Sequence, residues 1–314
     1  MVSKHLISIL DLATEDILEI FEKTAYLKTE LKNGNVVKTL KDKTLGMIFQ
    51  KSSTRTRVSF EVGMYQLGGT ALFLNTNDMQ LGRGETIKDT SLTLSRYLDG
   101  IMIRTFEQQD VIDLAQYGSI PVINGLTNLE HPCQALGDIY TILEHLGDVN
   151  KPVESSKDLM LVYIGDGNNV ANSLVALCAK LGMNITVCSP NGYEPDKAIL
   201  DSARKIASDT GSQILVKNEL DDELIEQADI YYTDVWASMG QEKEIEERKK
   251  IFKDYQLNED LLKKSKPTVK TMHCLPAHRG EELTDYAIDG PTSIIFDQAE
   301  NRMHVQKGIM TLLM

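Results

Sequence analysis

The feature of this 314-residue chain that most constrains its fold is an alternation of short apolar segments with longer helical patterns. Short, β-rich apolar segments are typical of strands that are buried on both faces of a sheet. Because the connections between them carry helices, they favour parallel sheets with helices on both faces. The predicted strands are 44–49, 70–74, 100–104, 120–124, 159–164, 184–189, 213–217, 229–233, 269–273 and 293–296.

The length of the chain and one break in its pattern indicate two domains. Gly, Pro and Ser residues within 147–156 interrupt a helical pattern over 131–146. We therefore predict an α/β protein with two doubly wound parallel-sheet domains, residues 1–147 and 148–298, and a helix over 299–314 that packs back on the first. Polar residues follow strand ends in both halves, which predicts an active site in a cleft between the domains.

Composition limits the compartment and the partners. The formal charge of −13 argues against nucleic acid and anionic membranes as partners. Four widely spaced cysteines without a CxxC pair suit a reducing cytosol, and the N-terminal sequence lacks a signal-peptide core. No apolar run reaches the roughly 18 residues of a membrane span, so we expect a cytoplasmic protein.

The sequence Ser53-Thr54-Arg55-Thr56-Arg57 lies between a predicted strand and a helical pattern. Hydroxyl groups, guanidinium groups and first-turn N–H groups at such a position suit a small, doubly charged anion. The alternative is a capped helix start with two solvated arginines. An apolar strand also ends in Arg104, which is either half of a structural ion pair or a ligand for a phosphate or carbonyl oxygen.

His131-Pro132-Cys133-Gln134 opens a helix, with Pro132 in its first turn. His131 and Gln134 are three residues apart, so one helix end can direct both towards a carbonyl or a carbamoyl group. A histidine that only caps the helix is the alternative.

The turn Gly165-Asp166-Gly167-Asn168-Asn169 resembles half of a dinucleotide-binding motif, but Val170 stands at the third glycine position. A nicotinamide enzyme is therefore disfavoured, and Asn169 is a candidate donor to a carboxylate. Asp234 ends a later strand and suits a substrate ammonium group. The charged run 241–250 that follows is either a solvated helix face or a lid.

His273-Cys274-Leu275-Pro276 ends another predicted strand. Adjacent strand residues point to opposite faces, so His273 is poorly placed to activate Cys274 as a nucleophile. With His278 the only other nearby histidine, the set falls short of a zinc site, and we expect no metal. Cys274 is then either a small buried hydrophobic residue or a weak polar contact.

Taken together, these segments resemble the ornithine carbamoyltransferases along essentially the whole chain and in the same order. The motifs that carry the resemblance are Ser53-Thr54-Arg55-Thr56-Arg57, Gln80-Leu81-Gly82, Arg104, His131-Pro132-Cys133-Gln134, Gly165-Asp166-Gly167-Asn168-Asn169, Asp234 with Ser238-Met239-Gly240, His273-Cys274-Leu275-Pro276 and Glu300-Asn301-Arg302.

The resemblance implies transfer of a carbamoyl group from carbamoyl phosphate to the δ-amine of L-ornithine, without a metal or an organic cofactor. It implies that Ser53, Thr54, Arg55 and Thr56 bind the phosphate with help from Arg104. His131, Gln134, Cys274, Leu275 and Arg302 would hold the carbamoyl group, and Asn169, Asp234, Ser238 and Met239 would bind ornithine. Five of these residues, Arg55, Arg104, His131, Asp234 and Cys274, would contact the reacting groups and act in catalysis. Gln80 would reach a neighbouring subunit's site, which implies a trimer or a multiple of trimers.

Three other functions remain open. Aspartate transcarbamoylases share the first and fourth motifs, but they carry a lysine-bearing loop in place of Gln80-Leu81-Gly82 and a basic motif in place of Asp234. A transferase acting on putrescine or another amine is closer, although Asn169 and the Ser-Met-Gly loop suit an amino-acid head. A non-catalytic, anion-binding relative belongs to a different functional class.

Overall fold

The computed structural model describes residues 3–238 and 240–314, and the chain divides into two compact units. Unit 1 is Met1–Tyr140 with Asn301–Met314, and unit 2 is Thr141–Glu300. The chain passes from unit 1 to unit 2 after Tyr140 and returns to unit 1 after Glu300, and both points lie inside helices. The domain limits predicted at residues 147 and 298, and the predicted cleft between the domains, therefore stay proposals.

Unit 1 is built on a four-stranded parallel sheet with the order β2-β1-β3-β4. The chain runs from β1 outwards to β2 and then returns to the other side of β1 for β3. Its switch point, where successive connections leave in opposite directions, therefore lies between β1 and β3. The elements are α1 (Thr14–Lys32), β1 (Thr44–Phe49), α2 (Thr54–Gln66), β2 (Thr70–Asn75), α3 (Ile87–Leu94), β3 (Gly100–Arg104), α4 (Gln108–Tyr117), β4 (Val122–Leu126) and α5 (Pro132–Leu146).

Unit 2 contains a five-stranded parallel sheet with the order β7-β6-β5-β8-β9. By the same reasoning its switch point lies between β5 and β8. The elements are α6 (Pro152–Ser156), β5 (Met160–Ile164), α7 (Asn169–Leu181), β6 (Asn184–Cys188), α8 (Lys197–Thr210), β7 (Ile214–Lys217), α9 (Asp222–Gln227), β8 (Ile230–Thr233), α10 (Ile245–Phe252), α11 (Glu259–Lys264), β9 (Lys270–His273) and α12 (Asp285–Asp289). The last helix, α13 (Ile295–Leu313), begins in unit 2 and belongs to unit 1 from Asn301 onwards.

The two parallel sheets with their helices confirm the predicted fold class. One predicted strand is wrong, because residues 293–296 contribute only an isolated bridge at Ser293 and then begin helix α13. A short apolar run does not by itself distinguish a strand from a buried helix start. Ser293 Oγ accepts the Ile295 N–H at 3.5 Å, and Asp297 lies in the first turn, where a negative charge favours a helix.

The central strands carry the core of each unit. Every residue of β3 and of β5 is buried, as expected for parallel strands that helices cover on both faces. Strand β2 lies at the edge of its sheet and leaves Leu72 and Phe73 exposed by 44% and 37%. Within the described part of the chain, no helix is both long enough and apolar enough to span a bilayer.

Candidate active site

The first cluster of candidate residues lies at the switch point of unit 1. The Ser53–Thr56 turn follows β1, and Arg104 is the last residue of the neighbouring strand β3. The two strands end at the same level, because Phe49 and Arg104 are register partners. Ligands of open α/β sheets bind at the carboxyl ends of strands that flank a switch point. The sheet order therefore places the serine-threonine turn and the buried arginine together at the switch point.

Ser53 shapes the start of helix α2. Its backbone is extended, and its Oγ accepts the Thr56 N–H at 3.2 Å, as an N-cap side chain does. Thr54 is exposed in the first turn, and the Arg55 side chain is half-buried. The turn thus places two hydroxyl-bearing residues and Arg55 in the first turn of the helix, where an anion is favoured.

Thr56 connects this turn to two buried arginines. Its Oγ1 accepts hydrogen bonds from Arg302 Nη2 and, at 3.5 Å, from Arg104 Nη1. Arg302 belongs to α13, which lies close against α5: a Cβ added at Gly137 would be 3.1 Å from the Arg302 Cα atom. A glycine on α5 therefore lets α13 bring Arg302, which is 246 residues away in sequence, to Thr56.

His131 and Gln134 lie at the start of α5 and are 4% and 1% exposed. Burial, followed by the charges of Arg302 and Arg104, lowers the pKa of His131 well below its usual value. The imidazole is therefore neutral at physiological pH. Gln134 Nε2 donates to Asp138 Oδ1 at 2.7 Å, whereas Gln134 Oε1 is buried and has no hydrogen-bond partner among the described residues. This oxygen is suited to accept from a ligand amide.

The second cluster lies at the switch point of unit 2. Residues Gly165–Asn169 follow β5, Asp234 follows the adjacent strand β8, and Ile164 and Thr233 are register partners. Asn168 caps α7, accepts the N–H groups of Val170 and Ala171, and donates from Nδ2 to Asp234 Oδ2 at 2.7 Å.

Gly167 in this turn is required by a close approach of the backbone. A Cβ atom there would be 2.3 Å from the Pro195 backbone nitrogen. The second glycine of the Gly-x-Gly pattern thus serves packing of the turn against residues 193–195.

Asp234 also brings Cys274 into this cluster. Cys274 Sγ donates to Asp234 Oδ1 at 3.0 Å, and the Val235 N–H donates to the same oxygen at 2.8 Å. The Asp234 carboxylate is 7% exposed. It is therefore a nearly buried negative charge whose surroundings are a thiol, an amide and backbone groups, and such a site suits a cationic substrate group.

Comparison with known proteins identifies the family. The carbamoyl-phosphate binding domain of aspartate/ornithine carbamoyltransferases matches residues 4–144, and the Asp/Orn binding domain of that family matches residues 157–313. The chain belongs to the aspartate/ornithine carbamoyltransferase family.

Individual relatives match over nearly their full length. The chain is 52% identical to an ornithine carbamoyltransferase from Oceanobacillus iheyensis, covering 99% of this chain and 94% of that protein. The solved structure of the ornithine carbamoyltransferase from Pyrococcus furiosus is 50% identical, with a TM-score of 0.92 and coverage of 99% and 96%. The ornithine carbamoyltransferase structure from Gloeobacter violaceus is 42% identical, with a TM-score of 0.85 and 99% coverage of both chains. The prediction of a carbamoyltransferase enzyme is thus confirmed.

For three other residues expected from the resemblance to this family, the structure gives few contacts or none that bear on a binding role. Ser238 is half-buried, and its N–H donates to Gln241 Oε1 at 2.8 Å. Met239 lies outside the described residues. Gln80 is exposed, and its carbonyl accepts the N–H groups of Arg83 and Glu85. The roles given to these residues remain predictions.

Sequence reasoning missed Lys51, which lies two residues before the Ser53–Thr56 turn. Its side chain is 6% exposed, its Nζ donates to Asn128 Oδ1 at 2.5 Å, and it lies 4.4 Å from the centre of the Phe106 ring. Burial and then the charge of Arg104 lower the pKa of Lys51 to about 8. The position of a lysine two residues before Ser53 was the available signal.

The charged run 241–250 also contains a residue that is not solvated. Arg248, on α10, is 7% exposed and donates to Asp166 Oδ2 at 3.0 Å, to the Trp236 carbonyl at 2.9 Å and to Glu244 Oε2 at 2.8 Å. For Arg248, the solvated-face interpretation is wrong. This side chain instead ties the turn after β5 to the loop that contains Ser238.

Two groups in unit 2 place possible metal ligands within 4.8 Å of one another: Asp234 with His273 and Cys274, and His278 with Glu281 and Glu282. In the first group, His273 Nδ1 accepts the Leu275 N–H and Nε2 contacts Glu282 Oε1. A metal ion at His273 would have to break one of these bonds. In the second group, Glu281 Oε1 is already paired with Lys249 at 2.9 Å.

Proposed function

We propose that the protein transfers the carbamoyl group of carbamoyl phosphate to the δ-amine of L-ornithine, forming L-citrulline and phosphate. The observation that carries this proposal is the buried Asp234 carboxylate at the second switch point, in a chain about half identical to proteins named ornithine carbamoyltransferases. A carboxylate there suits an amine acceptor and would repel a dicarboxylate such as aspartate.

Unit 1 is proposed to bind carbamoyl phosphate. The Ser53–Thr56 turn supplies hydroxyl and N–H donors, and Arg55 and Arg104 neutralise phosphate charge. The neutral imidazole of His131 and the Arg302 guanidinium would donate to the carbamoyl oxygen. Gln134 Oε1 would accept from the carbamoyl nitrogen, which matches its lack of a partner among the described residues.

Unit 2 is proposed to bind ornithine and to contact the carbamoyl group. Asp234 would hold an amine of ornithine, while Asn169, Ser238 and Met239 would bind its amino-acid head. Cys274 and Leu275 would contact the carbamoyl group with their side-chain sulfur and backbone groups. These roles come from the family resemblance, and the hydrogen bond between Cys274 and Asp234 supports placing the two residues together.

In the proposed reaction the neutral δ-amine attacks the carbamoyl carbon and forms a C–N bond. The resulting tetrahedral oxyanion collapses, the bond from carbon to the phosphate oxygen breaks, and the amine proton is lost. Arginine and histidine donors at the oxyanion and the leaving phosphate would provide most of the rate enhancement. Both substrates already carry the reactive groups, so the proposal needs no metal or organic cofactor.

The deciding assay offers carbamoyl phosphate with ornithine, putrescine, acetylornithine or aspartate and identifies the carbamoylated product by mass. We expect the highest kcat/KM with ornithine, which gives citrulline. A preference for putrescine would overturn the choice of acceptor. No product from any acceptor would instead favour an anion-binding protein.

Asp234→Asn, which keeps the size of the side chain, should lower kcat/KM for ornithine by about 10²-fold because a charge-assisted contact is lost.

Lys51 should make the affinity for carbamoyl phosphate dependent on pH. Below its pKa of about 8 the ammonium adds positive charge beside Arg104, and above that pH this charge is lost. The KM for carbamoyl phosphate should therefore rise, up to roughly tenfold between pH 7 and pH 9. In Lys51→Arg the KM should stay nearly constant, because a guanidinium remains charged.

Steady-state kinetics at saturating ornithine test the prediction for Lys51. Lys43→Arg is the matched control. Lys43 precedes β1, at the opposite end of the strand from the Ser53–Thr56 turn, and its Nζ pairs with Asp99 Oδ1 at 2.9 Å. That variant should keep the wild-type pH dependence. An equal rise in KM in Lys51→Arg would remove Lys51 from the site.

The active protein is proposed to be a cytoplasmic homotrimer, or a multiple of trimers, in which Gln80 completes a neighbouring site. Strand β2 is an edge strand with exposed Leu72 and Phe73, and Tyr65 on helix α2 is 80% exposed. An exposed edge with apolar side chains is a typical contact surface between copies of a chain. The four cysteines are free thiols, which is compatible with a reducing cytoplasm.

A charge on this edge should dissociate the trimer. Leu72→Glu is expected to shift the mass measured by light scattering from three times the 35.1 kDa chain mass to the mass of a single chain, with loss of activity. Gln80→Ala should lower kcat while leaving the assembly intact. Tyr286→Glu, at an exposed aromatic residue of unit 2, is the control and should leave both unchanged. A Leu72→Glu protein that keeps the wild-type mass would contradict the proposed interface.

A further inference from the structure

A fully buried carboxylate and imidazole lie beside the Cys274-Leu275 segment. His273, the last residue of β9, and Glu282 are both 0% exposed, and His273 Nε2 lies 3.0 Å from Glu282 Oε1. Neither side chain has a role in the proposed reaction. Burying an ionisable pair is costly, so its retention calls for a physical reason.

The hydrogen bonds determine where the proton of the His273 ring is. The Leu275 N–H donates to His273 Nδ1 at 2.8 Å, so Nδ1 is an acceptor and carries no proton. The ring proton is therefore on Nε2 and is donated to Glu282 Oε1. The same oxygen accepts the His278 N–H at 2.6 Å, which fixes the carboxylate in turn. Glu282 thus sets both the tautomer and the orientation of the His273 ring.

The backbone of His273 is fixed as well. Its N–H donates to Gln298 Oε1 at 3.0 Å, and Gln298 Nε2 donates to the Tyr232 hydroxyl at 3.1 Å. Because the backbone and both ring nitrogens are held, the imidazole is a rigid acceptor for the Leu275 N–H. With the opposite tautomer, a proton on Nδ1 would face this N–H and the bond would be lost.

Leu275 needs such an acceptor because its backbone is in an unfavourable conformation. Its φ angle is +60°, in the left-handed region that is unfavourable for a residue other than glycine. Cys274 lies between the two ends of the bond from Leu275 to His273, and its Sγ donates to Asp234 Oδ1. The position of the thiol and of the Leu275 backbone therefore depends on the His273 acceptor.

We propose that Glu282 is a positioning residue for carbamoyl transfer, acting through His273 to hold Cys274 and Leu275 in their reactive placement. This inference rests on the proposed function, in which those two residues contact the carbamoyl group. A displacement of about 1 Å in a contact made in the transition state costs on the order of 10²-fold in rate. The effect of losing Glu282 should thus fall mainly on kcat.

Three variants test the proposal. Glu282→Leu removes the acceptor and should lower kcat about 10²-fold, with a much smaller change in either KM. Glu282→Gln can keep an oxygen at the Oε1 position for His273 and His278, so kcat should remain within about threefold of wild type. Glu281→Leu, at the adjacent half-buried glutamate that pairs with Lys249, is the matched control and should also keep kcat within about threefold.

The alkylation rate of Cys274 gives a second readout that does not require turnover. Cys274 is partly exposed, whereas Cys133, Cys178 and Cys188 are buried, so iodoacetamide should modify Cys274 selectively. Freed from its contact with Asp234, the thiol in Glu282→Leu should react several-fold faster than in wild type. The rate in Glu282→Gln and Glu281→Leu should remain near that of wild type.

The results separate a positioning role from a purely structural one. A purely structural role predicts a lower melting temperature in Glu282→Leu with unchanged kcat per folded protein and unchanged alkylation, and that outcome would overturn the proposal. If Glu282→Leu does not fold, a loss in Glu282→Gln as large as 10²-fold would also overturn it. A wild-type protein that forms no citrulline would refute the proposed function, while the alkylation rates would still report whether Glu282 positions Cys274.

Discussion

Replacing Arg55 by alanine is expected to lower kcat/KM for carbamoyl phosphate by roughly 10²–10³-fold without changing the fold. Arg55 lies in the first turn of α2, two residues after the N-cap Ser53, with its side chain half-buried. In the proposed reaction, loss of its guanidinium removes a charge that neutralises the phosphate as it leaves. The effect should appear in kcat as well as in KM, because charge on that phosphate grows in the transition state.

Arg57→Ala is the matched control for the Arg55 prediction, being the same residue type two positions along the same helix. The Arg57 side chain is exposed, pairs with Glu61 at 3.0 Å and stacks over the Phe73 ring at 4.0 Å. Its removal should change kcat/KM less than fivefold, as expected for an exposed ion pair. Equal losses in both variants would indicate a general effect on α2 and would contradict a specific role for Arg55.

Replacing Arg248 by methionine is expected to destabilise unit 2 by about 3–5 kcal/mol and to weaken ornithine binding. The substitution leaves Asp166 buried without its counter-charge. Burial already raises the pKa of Asp166 to about 6, against the opposing influence of Arg248. Without that arginine the pKa should rise further. The loss of stability should therefore be largest at pH 8 and smaller near pH 5, where the carboxyl group takes up a proton.

Urea unfolding of the wild type and of Arg248→Met at these two pH values measures the effect. The double variant Asp166→Asn/Arg248→Met should recover part of the lost stability, because the unpaired buried charge is gone. Arg279→Met is the control: Arg279 pairs with Asp285 and Asp289 at the surface and should contribute less than about 1 kcal/mol. A cost in Arg248→Met that is small and independent of pH would contradict the pairing.

The sequence predicted residues at the ends of strands well, for a geometric reason. In a parallel sheet the carboxyl ends of all strands lie at one edge. A residue that follows an apolar strand is therefore known to lie at that edge. Arg104 at the end of β3, and Asp234 after β8, were therefore accessible from the pattern alone. The strand predicted at 293–296 failed because periodicity cannot assign a run of only three apolar residues, Ile294, Ile295 and Phe296, to a strand or a helix.

Residues that act through partners distant in sequence were beyond such reasoning. Arg302 lies in the middle of helix α13. Periodicity predicts which face of a helix is buried, but it does not predict that the Arg302 side chain donates to Thr56. Arg248 belongs to a charged run whose composition indicates solvent exposure, yet three acceptors hold it in a buried position. Glu282 follows the His273 motif in a stretch without any pattern.

By itself, the sequence determined the class of fold, the family, and the chemical character of the residues that follow the strands. These properties depend on local periodicity and on residues close together in the chain. Tertiary structure alone decided the order of the strands, and with it which turns flank a switch point. It also decided that α13 brings Arg302 to Thr56 within unit 1, and that buried charges such as Glu282 and Arg248 find partners. Those outcomes depend on packing between elements far apart in sequence, which local pattern does not encode.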